Sequence, residues 1–199
     1  MNLPNKLTVA RMCLIPVFML FAFPMPEGFP GYGFFSAAGP YVALVVYIIA
    51  SITDAADGYI ARKNNLVTSF GKFLDPIADK LLVTAALLSL VPHNIMYLWA
   101  AMIILAREFI VTGIRLLAAG DGVVIAAGKL GKLKMVLQTI AIITLLCAYI
   151  VETWTGVWAQ TGEILVIAGD ILMWAAVIMT IVSGIEYVAK NINYLKKEI

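Results

Sequence analysis

Charged side chains are scarce in this sequence. Only 13% of its 199 residues are Asp, Glu, Lys or Arg, whereas 62% are hydrophobic, and the mean hydropathy is +0.96. A soluble domain typically has about a quarter of its residues charged, so the composition excludes a soluble globule. We therefore expect an all-α integral membrane protein made of one domain over residues 1–199.

Cysteine and histidine are also rare. Cys13 and Cys147 both lie within apolar segments, so no disulfide framework is predicted. We interpret the single histidine, His93, as a loop residue rather than a metal ligand. Internal repeats and the inverted hydropathy symmetry of many transporters are lacking as well, which counts against a transport pathway.

Six apolar stretches are each close to the roughly 20 residues that cross a bilayer. They cover residues 7–23, 40–61, 73–91, 95–118, 133–151 and 164–188, and a short interfacial segment is expected at the amino terminus. All fourteen Lys and Arg residues lie near one set of helix ends. The positive-inside rule then predicts that both termini are cytoplasmic.

Four aspartates are concentrated near the cytoplasmic ends of the second and third helices. Asp54 and Asp57 are three positions apart and Asp75 and Asp79 four apart, so each pair lies on one face of its own predicted helix. An Asp at the centre of a membrane helix costs roughly 2.5–3.5 kcal/mol. The carboxylates must therefore be hydrated, neutralised by cations, or both.

Two divalent ions would balance these four carboxylates in formal charge. Ligand sets made only of oxygen favour Mg²⁺, Mn²⁺ or Ca²⁺ over Zn²⁺, and helix-borne carboxylates suit Mg²⁺ or Mn²⁺ best. We expect two Mg²⁺ or Mn²⁺ ions. In the alternative interpretation the carboxylates form a solvated helix end or ion pairs with neighbouring bases, which are Arg62, Lys72 and Lys80.

Basic residues gather on the same predicted side of the membrane. Arg107 and Arg115 are eight positions apart, within roughly 80° of each other around a helix, and the next connection adds Lys132 and Lys134. Arginine clusters bind phosphate bidentately, so these four residues predict a site for a phosphate on a substrate. The alternatives are an internal salt bridge for Arg107 and anionic-lipid anchoring for the lysines.

The pattern D-x-x-D-G-x-x-A-R, eight residues, then G-x-x-x-D-x-x-x-D over residues 54–79 resembles the signature of the CDP-alcohol phosphatidyltransferase family. The resemblance implies metal-dependent transfer of a phosphatidyl group from CDP-diacylglycerol, with Asp79 acting also as general base. It implies a homodimer too. The residues expected to contact CDP-diacylglycerol are Gly58, Ala61, Arg62, Thr68 and Gly71, together with Asn5 and Thr8 of an N-x-L-T-x-x-R element.

Helix packing is the alternative role for the small residues of this set, and helix capping for Asn5 and Thr8. The Arg107 to Arg115 segment, with Lys132 and Lys134, is similar to the branch of the family whose acceptor is sn-glycerol 3-phosphate. Inositol phosphate or serine remain alternative acceptors, and a divalent-cation transporter is the alternative of another class. The expected partners are CDP-diacylglycerol, the acceptor and membrane lipids, without nucleic acid, at a site on the cytoplasmic side of the cell membrane.

Overall fold

The structure, a computed structural model, describes residues 3–63, 69–120, 128–153 and 159–198. Side chains are described for residues 5–54, 74, 77–118, 120, 128, 130–151 and 160–192. Six helices make up most of these ranges: α1 (Leu3–Ala22), α2 (Tyr32–Lys63), α3 (Ser69–Leu90), α4 (Leu98–Gly120), α5 (Lys129–Thr153) and α6 (Ala159–Glu198). The described part of the chain is therefore all-α, as predicted.

Four of the described helices, α1, α2, α5 and α6, are long and apolar enough to cross a membrane. In α4 the charged residues Arg107, Glu108 and Arg115 interrupt the apolar sequence. The two arginines expected to bind a phosphate thus also lower the apolar character of α4.

The helix boundaries differ from the predicted spans, notably in α1, α2 and α6. Helix α1 is continuous from Leu3, so the predicted interfacial segment forms its first turns. Helix α6 extends beyond residues 164–188 at both ends. Helix α2 begins at Tyr32 and contains Pro40; its first turn is held by ring contacts, among them Phe21 to Phe35 at 5.2 Å between centroids.

Most of the core lies between α1, α2, α3 and α5, with α6 packed along α5. Small residues allow the closest approaches: a Cβ added to Gly39 of α2 would lie 2.6 Å from the Phe21 carbonyl oxygen of α1. Large apolar side chains such as Trp99 and Ile185 are instead exposed on the outside of the bundle. An apolar exterior of this kind suits a lipid environment.

Candidate functional site

The first half of the candidate site joins α1 to the last part of α2. Asn5, Thr8 and Arg11 follow one another at intervals of three along α1, and all three are buried. Arg11 is fully buried and its guanidinium forms an ion pair with the carboxylate of Asp54, which is partly exposed. Asn5 and Thr8, which are expected to contact CDP-diacylglycerol, therefore lie on the same face of α1 as Arg11. Arg11 in turn binds Asp54, the first predicted metal ligand.

The second half begins on α3 with Asp79. Lys80 Nζ donates to Asp79 Oδ2 at 2.8 Å, and both side chains are partly exposed. The same ammonium also forms an ion pair with Glu108 of α4. Ion pairing with Lys80, which was the alternative to a metal site, is thus present for Asp79.

Glu108 is the centre of a buried ionic cluster. Its carboxylate accepts hydrogen bonds from Lys134 Nζ of α5 and from Arg107 Nη1 at 3.3 Å, in addition to its pair with Lys80. Glu108 is 7% exposed and Lys134 3%. One carboxylate therefore faces three cations, and the cluster formed by Lys80, Arg107, Glu108 and Lys134 carries a net positive charge.

Helix α6 supplies further contacts to the arginines of α4. Arg107 Nη2 donates to Ser183 Oγ at 3.2 Å. The guanidinium carbon of Arg115 lies 5.4 Å from the ring centroid of Tyr187, a distance typical of a cation–π interaction. Within the described part of the chain, the Nε atoms of both arginines are buried without a hydrogen-bond partner.

Lys132 differs from the other predicted phosphate-binding residues because it is exposed on α5. Lys134, two positions further, points instead into the cluster around Glu108. The structure thus brings Arg107 and Lys134 to the same carboxylate, that of Glu108, while Arg115 lies two turns along α4 against α6.

Several predicted site residues lie outside the described side chains. Asp57, Gly58, Ala61 and Arg62 are in the helical range of α2, and Gly71 and Asp75 in that of α3. Thr68 belongs to the connection between these helices, which is outside the described residues altogether.

The residues that are described fit a divalent cation in chemistry. The described side chains contain no group of three or more His, Cys, Asp or Glu that could hold a metal, because only two of the four predicted ligands, Asp54 and Asp79, are among them. Both are oxygen donors, as Mg²⁺ and Mn²⁺ prefer. Asp54 forms an ion pair with Arg11, and Asp79 forms one with Lys80. The protein itself therefore balances part of the negative charge of these carboxylates.

The family model described as CDP-alcohol phosphatidyltransferase matches residues 1–182. The chain belongs to the CDP-alcohol phosphatidyltransferase family. It is 47% identical over 198 residues to the CDP-diacylglycerol–glycerol-3-phosphate 3-phosphatidyltransferase of Bacillus subtilis, covering 98% of this chain and 97% of that protein. The protein of the same name from Rickettsia typhi is 39% identical, with 94% of each chain covered.

A third relative, from Mycobacterium tuberculosis, is named probable phosphatidylglycerophosphate synthase and is 38% identical over 96% of this chain and 82% of its own length. The resemblance drawn from residues 54–79 is thus confirmed for the chain as a whole. Membership of the CDP-alcohol phosphatidyltransferase family makes this protein an enzyme of phosphatidyl transfer, and the comparisons give the alternative of a cation transporter no support.

The sequence analysis did not predict three residues that contact the predicted phosphate-binding side chains. They are Glu108, the centre of the cluster, and Ser183 and Tyr187 of α6. Glu108 offered a signal, because an acid directly after a mid-helix arginine needs a partner in a membrane. Ser183 and Tyr187 offered none, since small and aromatic residues are common at helix-packing positions.

Proposed function

We propose that this protein transfers the phosphatidyl group of CDP-diacylglycerol to sn-glycerol 3-phosphate, giving phosphatidylglycerol phosphate and CMP. The observation that carries the proposal is the 47% identity, over 98% of the chain, to a protein named for this reaction. The cationic cluster of α3, α4 and α5 supports it, because a phosphorylated acceptor needs a positively charged site.

In the proposed reaction a hydroxyl of the acceptor attacks the phosphorus that carries the diacylglycerol. A new P–O bond forms, the P–O bond to the CMP phosphate breaks, and CMP leaves with the bonding electron pair. Asp79 accepts the proton of the attacking hydroxyl; its carboxylate is partly exposed and oriented by Lys80 at 2.8 Å. The diacylglycerol remains in the bilayer throughout.

We assign Asp54, Asp57, Asp75 and Asp79 as the ligands of two Mg²⁺ or Mn²⁺ ions. Such ions, when bound, screen the negative charge of the pyrophosphate. The chain's own contribution is to hold the carboxylates on two helices, α2 and α3, with Arg11 and Lys80 fixing the described pair.

CDP-diacylglycerol is proposed to bind beside these carboxylates. Asn5 and Thr8 support this placement, because they share the buried face of α1 with Arg11, which contacts Asp54. The remaining proposed contacts, which follow from the family signature, are Gly58, Ala61, Arg62, Thr68 and Gly71.

The acceptor phosphate is assigned to Arg107, Arg115, Lys132 and Lys134. Glu108 already balances part of the charge of Arg107 and Lys134. Arg115 and Lys132 have no acid partner among the described ion pairs. We therefore expect Arg115 to contribute strongly to binding a doubly charged phosphate.

All six helices are proposed to cross the cell membrane, with both termini and the active site on the cytoplasmic side. The contacts between α4 and α6 agree with this arrangement: Arg107 meets Ser183 and Arg115 meets Tyr187, so the two helices run in the same direction. Two even-numbered helices such as α4 and α6 must run in the same direction if every helix crosses the membrane once. The homodimer that the family resemblance implies stays a prediction.

The test is CMP release by the purified protein in detergent with CDP-diacylglycerol and Mg²⁺ or Mn²⁺. We expect release with glycerol 3-phosphate, little with inositol phosphate or serine, and loss of release in Asp79→Asn. Asp170→Asn is the matched control, because Asp170 lies beside Tyr97 and Trp174 at a cleft on α6, about 20 Å along that helix from Ser183. Release with another acceptor only would refute the choice of acceptor, and no release from folded protein would refute the function.

A further inference from the structure

One face of α6 contacts both arginines that we assign to the acceptor phosphate. Ser183 and Tyr187 are four positions apart, so they lie one above the other on the same side of the helix. Ser183 contacts Arg107 and Tyr187 contacts Arg115. The α6 face formed by Ser183, Gly184 and Tyr187 is therefore placed to orient both guanidinium groups.

The contact with Arg107 depends on two small residues. Ser183 Oγ accepts from Arg107 Nη2 at 3.2 Å and itself donates to the carbonyl oxygen of Thr180 at 3.2 Å, so the hydroxyl is fixed on the helix backbone. A Cβ added to Gly184 would lie 3.1 Å from Arg107 Cγ, closer than ordinary van der Waals contact. The glycine thus leaves the space in which the aliphatic part of Arg107 lies.

The contact with Arg115 is made by an aromatic ring. Tyr187 is 7% exposed and packs with Val111 and Ile114 of α4, which fixes the ring below the guanidinium at 5.4 Å. Its hydroxyl is buried and has no hydrogen-bond partner in the described part of the chain. The ring, rather than the hydroxyl, is therefore the part of Tyr187 that acts on Arg115.

We propose that Ser183 and Tyr187 of α6 are positioning residues that hold Arg107 and Arg115 in place for the phosphate of the acceptor. A guanidinium that is already oriented loses less conformational freedom when it binds phosphate, so the affinity rises without a new contact to the substrate. The proposal rests on the proposed function, since it uses the assignment of the acceptor phosphate to these arginines.

The experiment compares Tyr187→Leu with Tyr187→Phe in the CMP-release assay. Loss of a cation–π contact corresponds to at most about thirtyfold in an equilibrium constant. Tyr187→Leu should therefore raise KM for glycerol 3-phosphate by about three- to thirtyfold, with kcat and the KM for CDP-diacylglycerol changed less than about twofold. Tyr187→Phe keeps the ring and should match the wild type. Ser183→Ala should raise the same KM by about tenfold, because a hydrogen bond to a charged group is lost.

Ile185→Ala is the matched control, since Ile185 lies between the two residues on α6 and is 67% exposed. It should leave both KM values unchanged. The pairing is tested with Arg115→Met: in that background Tyr187→Leu should have no further effect on KM for glycerol 3-phosphate, because the group that the ring orients has been removed.

The outcomes separate this inference from the proposed function. If Arg115→Met raises KM for glycerol 3-phosphate but Tyr187→Leu does not, the acceptor site stands and the positioning role is wrong. Equal losses in Tyr187→Phe and Tyr187→Leu, or additive losses in the double variant, would also overturn it. If Arg115→Met leaves this KM unchanged, the acceptor assignment of Arg115 fails and the role of Tyr187 with it.

Discussion

Glu108→Gln tests whether the buried cluster is held together by one carboxylate. The substitution keeps the size and shape of the side chain and removes its charge. In the wild type that charge faces Lys80, Arg107 and Lys134, and Lys134 is 3% exposed. In the variant, Lys134 keeps a neutral oxygen as acceptor but loses the anion that compensates its buried charge.

The magnitude follows from the burial of both partners. Removing one member of a buried ion pair costs about 3–5 kcal/mol, because the other charge remains buried without compensation. For a chain of about 200 residues, 1 kcal/mol corresponds to roughly 2–4 °C in the melting temperature. We therefore expect Glu108→Gln to melt about 6–20 °C below the wild type.

Thermal unfolding in detergent micelles, followed by circular dichroism at one fixed heating rate, measures this difference. Glu186→Gln is the control, because Glu186 forms an exposed pair with Lys190 within α6 and such pairs contribute about 0.3–0.5 kcal/mol. Adding Lys134→Met to Glu108→Gln should restore part of the loss, since it removes the uncompensated buried ammonium. A melting temperature for Glu108→Gln within about 2 °C of the wild type, less than the shift expected for 1 kcal/mol, would refute the reasoning.

Two further results are expected. Gly39→Ala should lower the melting temperature by about 2–12 °C, the cost of overpacking, because the added Cβ would lie 2.6 Å from the Phe21 carbonyl oxygen. Gly33→Ala is the control and should not lower it, since no atom lies within 4 Å of the added Cβ. Equal melting temperatures of the two variants would contradict the close approach of α1 and α2. A chelator of divalent cations should abolish CMP release while leaving the helical circular dichroism signal intact, and excess Mg²⁺ or Mn²⁺ should restore it; release that survives chelation would remove the metal from the proposed site.

The helices were predictable because each contains a long apolar stretch, but their ends were not. The start of α2 at Tyr32 depends on rings from another helix, such as Phe21 against Phe35. A local pattern cannot show this contact, and the predicted span therefore begins only at Pro40. Tertiary contacts, rather than local preference, extend this helix.

The family was predictable because its signature is local in sequence. The aspartates lie within 26 positions and resemble a family signature, which the comparison confirmed for the chain. The contacts of Arg107 with Ser183 and of Glu108 with Lys134 were hidden for the opposite reason, because the partners are 76 and 26 positions apart. A contact between distant helices leaves no spacing rule to find.

The ion pair between Lys80 and Glu108 links two consecutive helices, α3 and α4, and both residues lie near the middle of their helices. A charged residue at the middle of a membrane helix costs roughly 2.5–3.5 kcal/mol during insertion. An ion pair between Lys80 and Glu108 lowers this cost for both residues before α5 and α6 are inserted. We therefore expect the biogenesis of this enzyme to pass through an α3–α4 hairpin that enters the bilayer as one unit. The ionic cluster around Glu108 would then also serve as an assembly signal. Glu108→Gln should therefore reduce the amount of protein that reaches the membrane as well as its stability once there.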